Sequence, residues 1–325
     1  MDKPRNSRNE NLNYRSFSDL AQVIRANAAI LPDDVDLVVG VPRSGIAPAS
    51  MIALSKNVDF TDLESYLLNR PLAHGRTRRT SAPGLNSPFD AKHTLVIDDS
   101  VHTGGTIKGI RSRIAKVNPL GKISYGVIYA AKSLPDVIDL HFEILAGPRA
   151  FEWNALHLPI VETFCLDIDG VLCRDPSDSE NDDGEAYREF LLTVAPQVVP
   201  THVVGHLVTS RLEKFRSETE RWLHEKGIRY KKLHMLDLPD AETRRRLGTH
   251  ASFKARVYRS LSKSRFFIES EPHQAQKIAK LSGKPVLCYQ NQVIYRPIPN
   301  AAYAGDVLDS FVKRAGQKVR RTLFP

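Results

Sequence analysis

Thirteen consecutive residues, Thr94 to Thr106 (TLVIDDSVHTGGT), constrain this chain more than any other stretch. They set two adjacent carboxylates between a buried apolar run and a loop of small residues. Leu95 to Ile97, following Thr94, read as the end of a buried strand. Asp98 and Asp99 then stand at its carboxyl end, where open α/β sheets place their ligands, and Ser100 to Thr106 form the turn into a helix. Backbone N–H groups of such a turn suit a phosphate dianion. Gly104 and Gly105 permit close backbone approach, while Thr103 and Thr106 add hydroxyl donors. Carboxylates beside such a nest suit a sugar phosphate, the acids taking ribose hydroxyls and the loop taking the 5-phosphate. Upstream, Asp36 to Gly45 (DLVVGVPRSG) reads as a short strand ending at Gly40 and a turn that offers Arg43, Ser44 and Gly45 to a diphosphate.

The Thr94–Thr106 segment resembles the phosphoribosyl pyrophosphate (PRPP) signature of type I phosphoribosyltransferases. Apolar run, acid pair, Thr-Gly and closing Thr fall in order, and DLVVGVPRSG stands where that family has its pyrophosphate loop. The resemblance implies that Val41, Pro42, Arg43, Ser44 and Gly45 hold pyrophosphate and that Asp98 and Asp99 hold the ribose. Ser100, Val101, Thr103, Gly104, Gly105 and Thr106 then surround the 5-phosphate. Asn69 to His93 looks like the family's mobile loop, in which Arg76, Arg78 and Arg79 either meet the pyrophosphate or form a solvated basic loop. His102 departs from the pattern, since purine-using relatives carry an Asp there. It reads either as a base for an attacking hydroxyl or as a loop histidine bonded to backbone, and in both cases it speaks against ordinary purine specificity.

A second chemistry follows. Phe164 to Leu172 (FCLDIDGVL) is a strand entering an Asp-X-Asp-Gly turn. It resembles the first motif of the haloacid dehalogenase-like (HAD-like) phosphatases. In that resemblance Asp167 attacks phosphorus, and Asp169 protonates the leaving oxygen and later activates water. Gly205 to Arg211 (GHLVTSR) ends in Thr209 and Ser210 and matches the second motif, with Thr209 as the phosphoryl-binding hydroxyl. Lys254 matches the third, a cation between nucleophile and phosphate, with Lys263 a weaker competitor. Arg265 to Pro272 (RFFIESEP) matches the fourth. The resemblance implies Mg²⁺ on Asp167, Asp169 and one glutamate of the fourth motif, Glu269 in preference to Glu271, which reads equally as a helix-start acid.

A length of 325 residues exceeds what one core usually supports. The expected fold class is α/β, with two doubly wound parallel-sheet domains: a phosphoribosyltransferase domain over residues 1–155 and a HAD-like phosphatase domain with a small cap or none over 156–300. A basic tail or helix, 301–325, follows. Helices are expected over Ser18–Ala29, Thr106–Val117, Leu212–Lys226 and Gln274–Leu281. The junction Gly147–Pro159 reads as packed, with Phe151 and Trp153 as core residues first and a sugar platform second.

No run of about 20 apolar residues is present to cross a bilayer, and the start lacks the apolar centre of a signal peptide, so a cytoplasmic protein is expected. Three cysteines give neither a disulfide framework nor a zinc cluster. The net charge of +9 is dispersed, without a nucleic-acid recognition signature, and both motif sets imply anionic substrates. Val307 to Phe324 concentrates basic and apolar residues and reads either as a docked terminal helix or as peripheral contact with the inner face of a membrane.

The pairing restricts function further. A phosphoribosyltransferase leaves a 5-phosphate on its product and a phosphatase removes it, which is a wasteful route to a nucleotide but a sensible one to a ribofuranosyl glycan. The whole arrangement resembles bifunctional enzymes that build ribofuranose into bacterial surface polysaccharides such as O antigen. It implies PRPP as donor and a glycan or lipid-linked oligosaccharide as acceptor. Two other readings stay open: a nucleobase phosphoribosyltransferase joined to a nucleotide phosphatase, and a PRPP sensor joined to an active phosphatase.

Overall fold

Leu37, Val38 and Val39 are wholly inaccessible to solvent, so the strand that carries them must have apolar cover on both faces. In the computed structural model, which describes residues 12–75 and 84–297, that cover comes from helices on either side. The chain divides into two compact units, Met1–Trp153 and Asn154–Pro325.

The first unit runs β1 (Asn13–Arg15), α1 (Phe17–Ala26), β2 (Leu37–Gly40), α2 (Ile46–Lys56), β3 (Asp59–Asp62), α3 (Leu63–Leu67), β4 (His93–Val101), α4 (Gly105–Val117), β5 (Lys122–Ala130), β6 (Leu140–Ile144) and β7 (Arg149–Phe151). Its five-stranded sheet has the order β3-β2-β4-β5-β6 and is parallel throughout. Val38, Leu95 and Ile97 point into a core with Leu20 and Ile24 of α1 and Ile52 of α2. Their neighbours Val39 and Val96 point the other way, toward Tyr66 of α3 and Ile107, Ile110 and Ile114 of α4. Period-two apolar residues on both faces give the continuous runs seen in the sequence and the doubly wound layering. Asp36 fixes the entry to this sheet by accepting hydrogen bonds from the Lys92 and His93 amides (2.9 and 3.0 Å).

The second unit runs β8 (Phe164–Leu166), α5 (Glu185–Thr193), β9 (Val204–Leu212), α6 (Arg216–Glu225), β10 (Tyr230–Leu236), α7 (Ala241–Leu247), α8 (His250–Ser260), β11 (Phe266–Glu269), α9 (Pro272–Ser282), β12 (Val286–Cys288) and β13 (Ile294–Tyr295). Its six strands lie in the order β10-β9-β8-β11-β12-β13, parallel except for the antiparallel edge strand β13.

Several boundaries differ from the sequence expectation. The strand read as ending at Ile97 continues to Val101, because β5 goes on pairing with Asp98, Ser100 and Val101 after β2 has stopped opposite Ile97. Leu212, read as a helix start, closes β9 instead, paired with Leu236, and α6 opens only at Arg216. β8 pairs with β9 only at His206 and Leu207, so Thr209 to Leu212 also overhang their inner neighbour. The junction after Gly147 holds β7, a strand not foreseen, paired in parallel with β1. Helix α1 ends at Ala26, three residues before Ala29, where the Asn27 amide donates to the Val23 carbonyl. Arg76, Arg78, Arg79 and the Val307–Phe324 segment lie outside the described residues.

Candidate active sites

In the first unit, the overhang of β4 carries Asp98 and Asp99, both buried although hydrophilic. The Asp99 amide donates to Asp98 Oδ1 (2.8 Å), and Trp153 Nε1 donates to Asp99 Oδ2 (2.7 Å). Burial first, and then the adjacent Asp99 carboxylate, push the Asp98 pKa up to about 8. Val41 continues the β2 backbone far enough for its amide to reach the Ile97 carbonyl (2.9 Å). The turn Pro42–Gly45 then leads into α2, with Arg43 exposed and the Pro42–Arg43 peptide cis. A Cβ on Gly45 would lie 2.7 Å from the Val41 carbonyl oxygen, 2.8 Å from that of Ile97 and 2.9 Å from Asp98 Cα. Those are backbone atoms, so only glycine lets this turn lie against the acid pair.

After Val101, His102 and Thr103 form an exposed bend and Gly104 turns left-handed (φ 87°) before α4. A Cβ on Gly104 would also meet Val137 Cγ1 at 2.7 Å. No side chain caps α4, so the first-turn amides around Gly105 and Thr106 are open to an anion. Ser100 is half-buried in the strand and Val101 is core. The structure thus brings Val41–Gly45, Asp98–Val101 and Thr103–Thr106 to one sheet edge. His102 stands exposed beside them.

In the second unit the acids cluster at the carboxyl ends of β8 and β11. Lys254, from α8, donates to Asp167 Oδ2 (2.5 Å) and Glu269 Oε2 (2.8 Å), all three being buried. Burial pushes the Asp167 pKa well above the usual carboxylate range, Lys254 pulling it back and Glu269 and Asp169 adding to the rise. Burial alone would discharge Lys254, yet Asp167 and Glu269 outweigh it and raise its pKa. Asp169 faces Arg211, whose Nε (3.1 Å) and Nη2 (2.6 Å) donate to its carboxylate. Gly170 turns left-handed (φ 73°) to complete the Asp-X-Asp-Gly turn.

These groups border a cleft of about 190 Å³ lined by Asp167, Asp169, Asp175, Ser210, Arg244 and Lys254 among others. Thr209 is fully buried, and its hydroxyl accepts from the Arg211 amide (3.1 Å), while Ser210 is the neighbour that lines the cleft. Ser210 Oγ, Arg244 Nε and Gln274 Oε1 are buried without a hydrogen-bond partner among the described residues, a deficit that a polar ligand would relieve. Glu271 caps α9, accepting from the His273 and Gln274 amides (3.1 and 3.0 Å). Glu269 is therefore the glutamate that shares a partner with Asp167, while Lys263 is exposed.

Among the described residues no three His, Cys, Asp or Glu side chains converge as a metal site. Carboxylate oxygens are nonetheless the donor type a hard cation takes, and here Asp167 and Glu269 are paired with Lys254 and Asp169 with Arg211.

Sequence reasoning missed Arg211 and Arg244 as site residues and gave Trp153 as a core residue first and a sugar platform second. Arg211 stood inside GHLVTSR, where a buried Arg after an apolar strand is a usable signal for a buried acid partner. Trp153 was read as packing, and it does stack on Phe151 (4.9 Å between centroids) and against Phe17 (5.2 Å). Nothing local tied its indole to an acid so distant in the chain. Arg244, whose Nη1 donates to the Ser210 carbonyl (3.0 Å), lies in an Arg-rich helix that reads as a solvated face.

The phosphoribosyl transferase domain family matches residues 13–153, so this part of the chain carries a type I phosphoribosyltransferase domain. No curated protein matches the chain. Solved structures similar to it include a purine phosphoribosyltransferase from Pyrococcus horikoshii, at 18% identity over 43% of this chain and 92% of that one, with a TM-score of 0.31. A xanthine-guanine-hypoxanthine phosphoribosyltransferase from Helicobacter pylori is 13% identical over 44% of this chain and 91% of its own, with a TM-score of 0.32. An orotate phosphoribosyltransferase from Aeropyrum pernix is 16% identical over 38% and 68%, with a TM-score of 0.26.

Proposed function

With a phosphoribosyltransferase domain in residues 13–153 as premise, we propose that the chain transfers a 5-phosphoribosyl group from PRPP to a glycan hydroxyl and then removes the 5-phosphate. The observation that carries the second step is the buried Asp167–Lys254–Glu269 cluster beside the Asp169–Arg211 pair. It is the arrangement a HAD-like phosphatase needs.

In the first unit the Thr103–Thr106 turn and the α4 amides take the 5-phosphate, Asp98 and Asp99 take ribose hydroxyls, and Val41–Gly45 takes pyrophosphate. The bond from C1 to pyrophosphate breaks as the acceptor oxygen bonds to C1. His102 receives the acceptor's proton. Attack opposite an α-pyrophosphate gives a β-ribofuranoside. In the second unit an Asp167 oxygen attacks phosphorus, the P–O5 bond breaks, and Asp169, oriented by Arg211, protonates O5. Water then cleaves the aspartyl-phosphate, with Asp169 taking its proton and Ser210 or Thr209 holding the phosphoryl group. Lys254 offsets the charge between nucleophile and phosphate. Mg²⁺ would be held by Asp167, Glu269 and Asp169, and would supply further neutralisation of the phosphate.

The aromatic rings near Asp99 support a glycan over a nucleobase acceptor. Tyr129, Phe151 and Trp153 stack on one another and Phe17 is tilted against Trp153, so these ring faces are turned to each other rather than to a base.

Mass spectrometry of products from PRPP, Mg²⁺ and a membrane glycolipid extract tests the reading. Wild type yields a pentosyl adduct, Asp167→Asn accumulates a phosphopentosyl adduct, and Asp99→Asn yields neither. Consumption of free nucleobases in place of glycolipid would move the function to nucleotide metabolism, and PRPP binding without turnover would make the first unit a sensor.

A further inference from the structure

Two grooves leave the Asp167 cleft. One, of about 300 Å³, shares His250 and Gln274 with it and runs past His273 and Lys277. The other, of about 500 Å³, shares Asp175 and Ser270 with it and is walled by Arg174, Gln197, Glu271, Tyr289 and Gln290. Its volume lies within the range of about 300–1,000 Å³ usual for ligand sites.

We propose that the larger groove is a carbohydrate subsite, which holds the sugar next to the 5-phosphoribosyl unit while the phosphate lies at Asp167. This rests on the phosphatase reading of the cleft. The lining has the chemistry of sugar recognition. Gln197 and Gln290 each offer an amide donor and acceptor, suited to hydroxyls that do both. Tyr289 supplies an aromatic ring for the apolar face of a pyranose.

Charge disfavours the alternatives. The guanidinium of Arg174 is committed to Glu180 (2.6 Å) and lies over Phe190, 4.9 Å from the ring centroid, and Glu271 and Asp175 are acidic. Among the described residues of that wall a polyphosphate would therefore find no free cation. Among the described residues Tyr289 is the one aromatic that lines the groove, which leaves no second ring to sandwich a nucleobase.

The groove is built on the catalytic strands. The Tyr289 amide donates to the Glu269 carbonyl (2.7 Å), the Gln290 amide to that of Ser270 (3.3 Å), and the Gln197 amide to that of Leu172 (2.8 Å). Whatever binds these side chains is positioned against Asp167 by a short run of hydrogen-bonded backbone, and the subsite exists before the sugar arrives.

The test compares phosphate release by the full chain from three probes: a synthetic 5-phosphoribofuranosyl hexose disaccharide, methyl ribofuranoside 5-phosphate and adenosine 5′-monophosphate. The expected kcat/KM for the disaccharide exceeds that for the methyl riboside by about ten-fold or more, a modest share of hydrogen-bond free energy. The double variant Gln197→Ala, Gln290→Ala, at two exposed positions, loses most of that advantage and keeps its rate on the methyl riboside. Equal rates on disaccharide and methyl riboside, a preference for the nucleotide, or an equal fall on all probes in the variant would each overturn the subsite and leave the phosphatase standing. No release from any probe would remove the phosphatase reading, and the subsite with it.

Discussion

Asp99 accepts a hydrogen bond from the Trp153 indole, and on the proposed reading this makes Trp153 a positioning residue for the ribose. Trp153→Phe keeps the ring stack and removes only the donor at 2.7 Å. Hydrogen bonds to charged groups are worth about 1.5–3 kcal/mol, so PRPP should bind roughly ten-fold more weakly in that variant. Titration calorimetry reading the same affinity in both proteins would remove Trp153 from the site. Asp98 supplies a second test. Its pKa is raised to about 8 in the fold against about 4 when unfolded, so the native state holds a proton that the unfolded chain gives up. Its stabilising effect is complete below about pH 4 and is lost as pH rises toward about 8. Asp98→Asn should therefore gain stability relative to wild type between pH 5 and pH 8, read from urea-dependent hydrogen exchange of the β4 and β5 peptides. A pH-independent difference would contradict the assignment.

At the scale of elements, the turn Pro42–Gly45 and strand β4 work as one piece, because a Cβ on Gly45 would run into the backbone of both Ile97 and Asp98. Gly45→Ala should cost about 1–3 kcal/mol of stability by overpacking, and should weaken PRPP binding by displacing the turn from the acids. A crystal structure of the variant with that turn unmoved would refute the coupling. The elements also show what a sequence reveals and what it hides. Apolar runs at Leu37–Val39, Leu95–Ile97 and Phe164–Leu166 were legible because both faces of each strand are buried. Strand ends were not, since Asp98 and Ser100 look like loop residues until β5 is seen beside them. Hydropathy reports burial, whereas the end of a ladder depends on the partner's length. Glu271 shows the reverse case: its place one residue before Pro272 already suited a helix cap, and the structure makes it one.

For the whole molecule, the division at Trp153 and Asn154 predicts separable chemistry. Sites that share no partners usually combine additively, to within about 0.5 kcal/mol. Asp99→Asn should thus leave hydrolysis of methyl ribofuranoside 5-phosphate within about two-fold of wild type, and Asp167→Asn should leave pyrophosphate release from PRPP similarly intact. A large loss of phosphate hydrolysis in Asp99→Asn, in stopped assays on purified protein, would show that the two sites are energetically linked. Among the described residues no helix is long and apolar enough to cross a membrane.

Each unit has a strand that outlasts its inner neighbour, Asp98–Val101 past β2 and Thr209–Leu212 past β8. On such an overhang the backbone keeps its ladder along one edge and meets turns and side chains along the other, as Arg244 does at the Ser210 carbonyl. The side chains there have surrendered their freedom during folding, so a ligand settling into the notch has little left to freeze but itself.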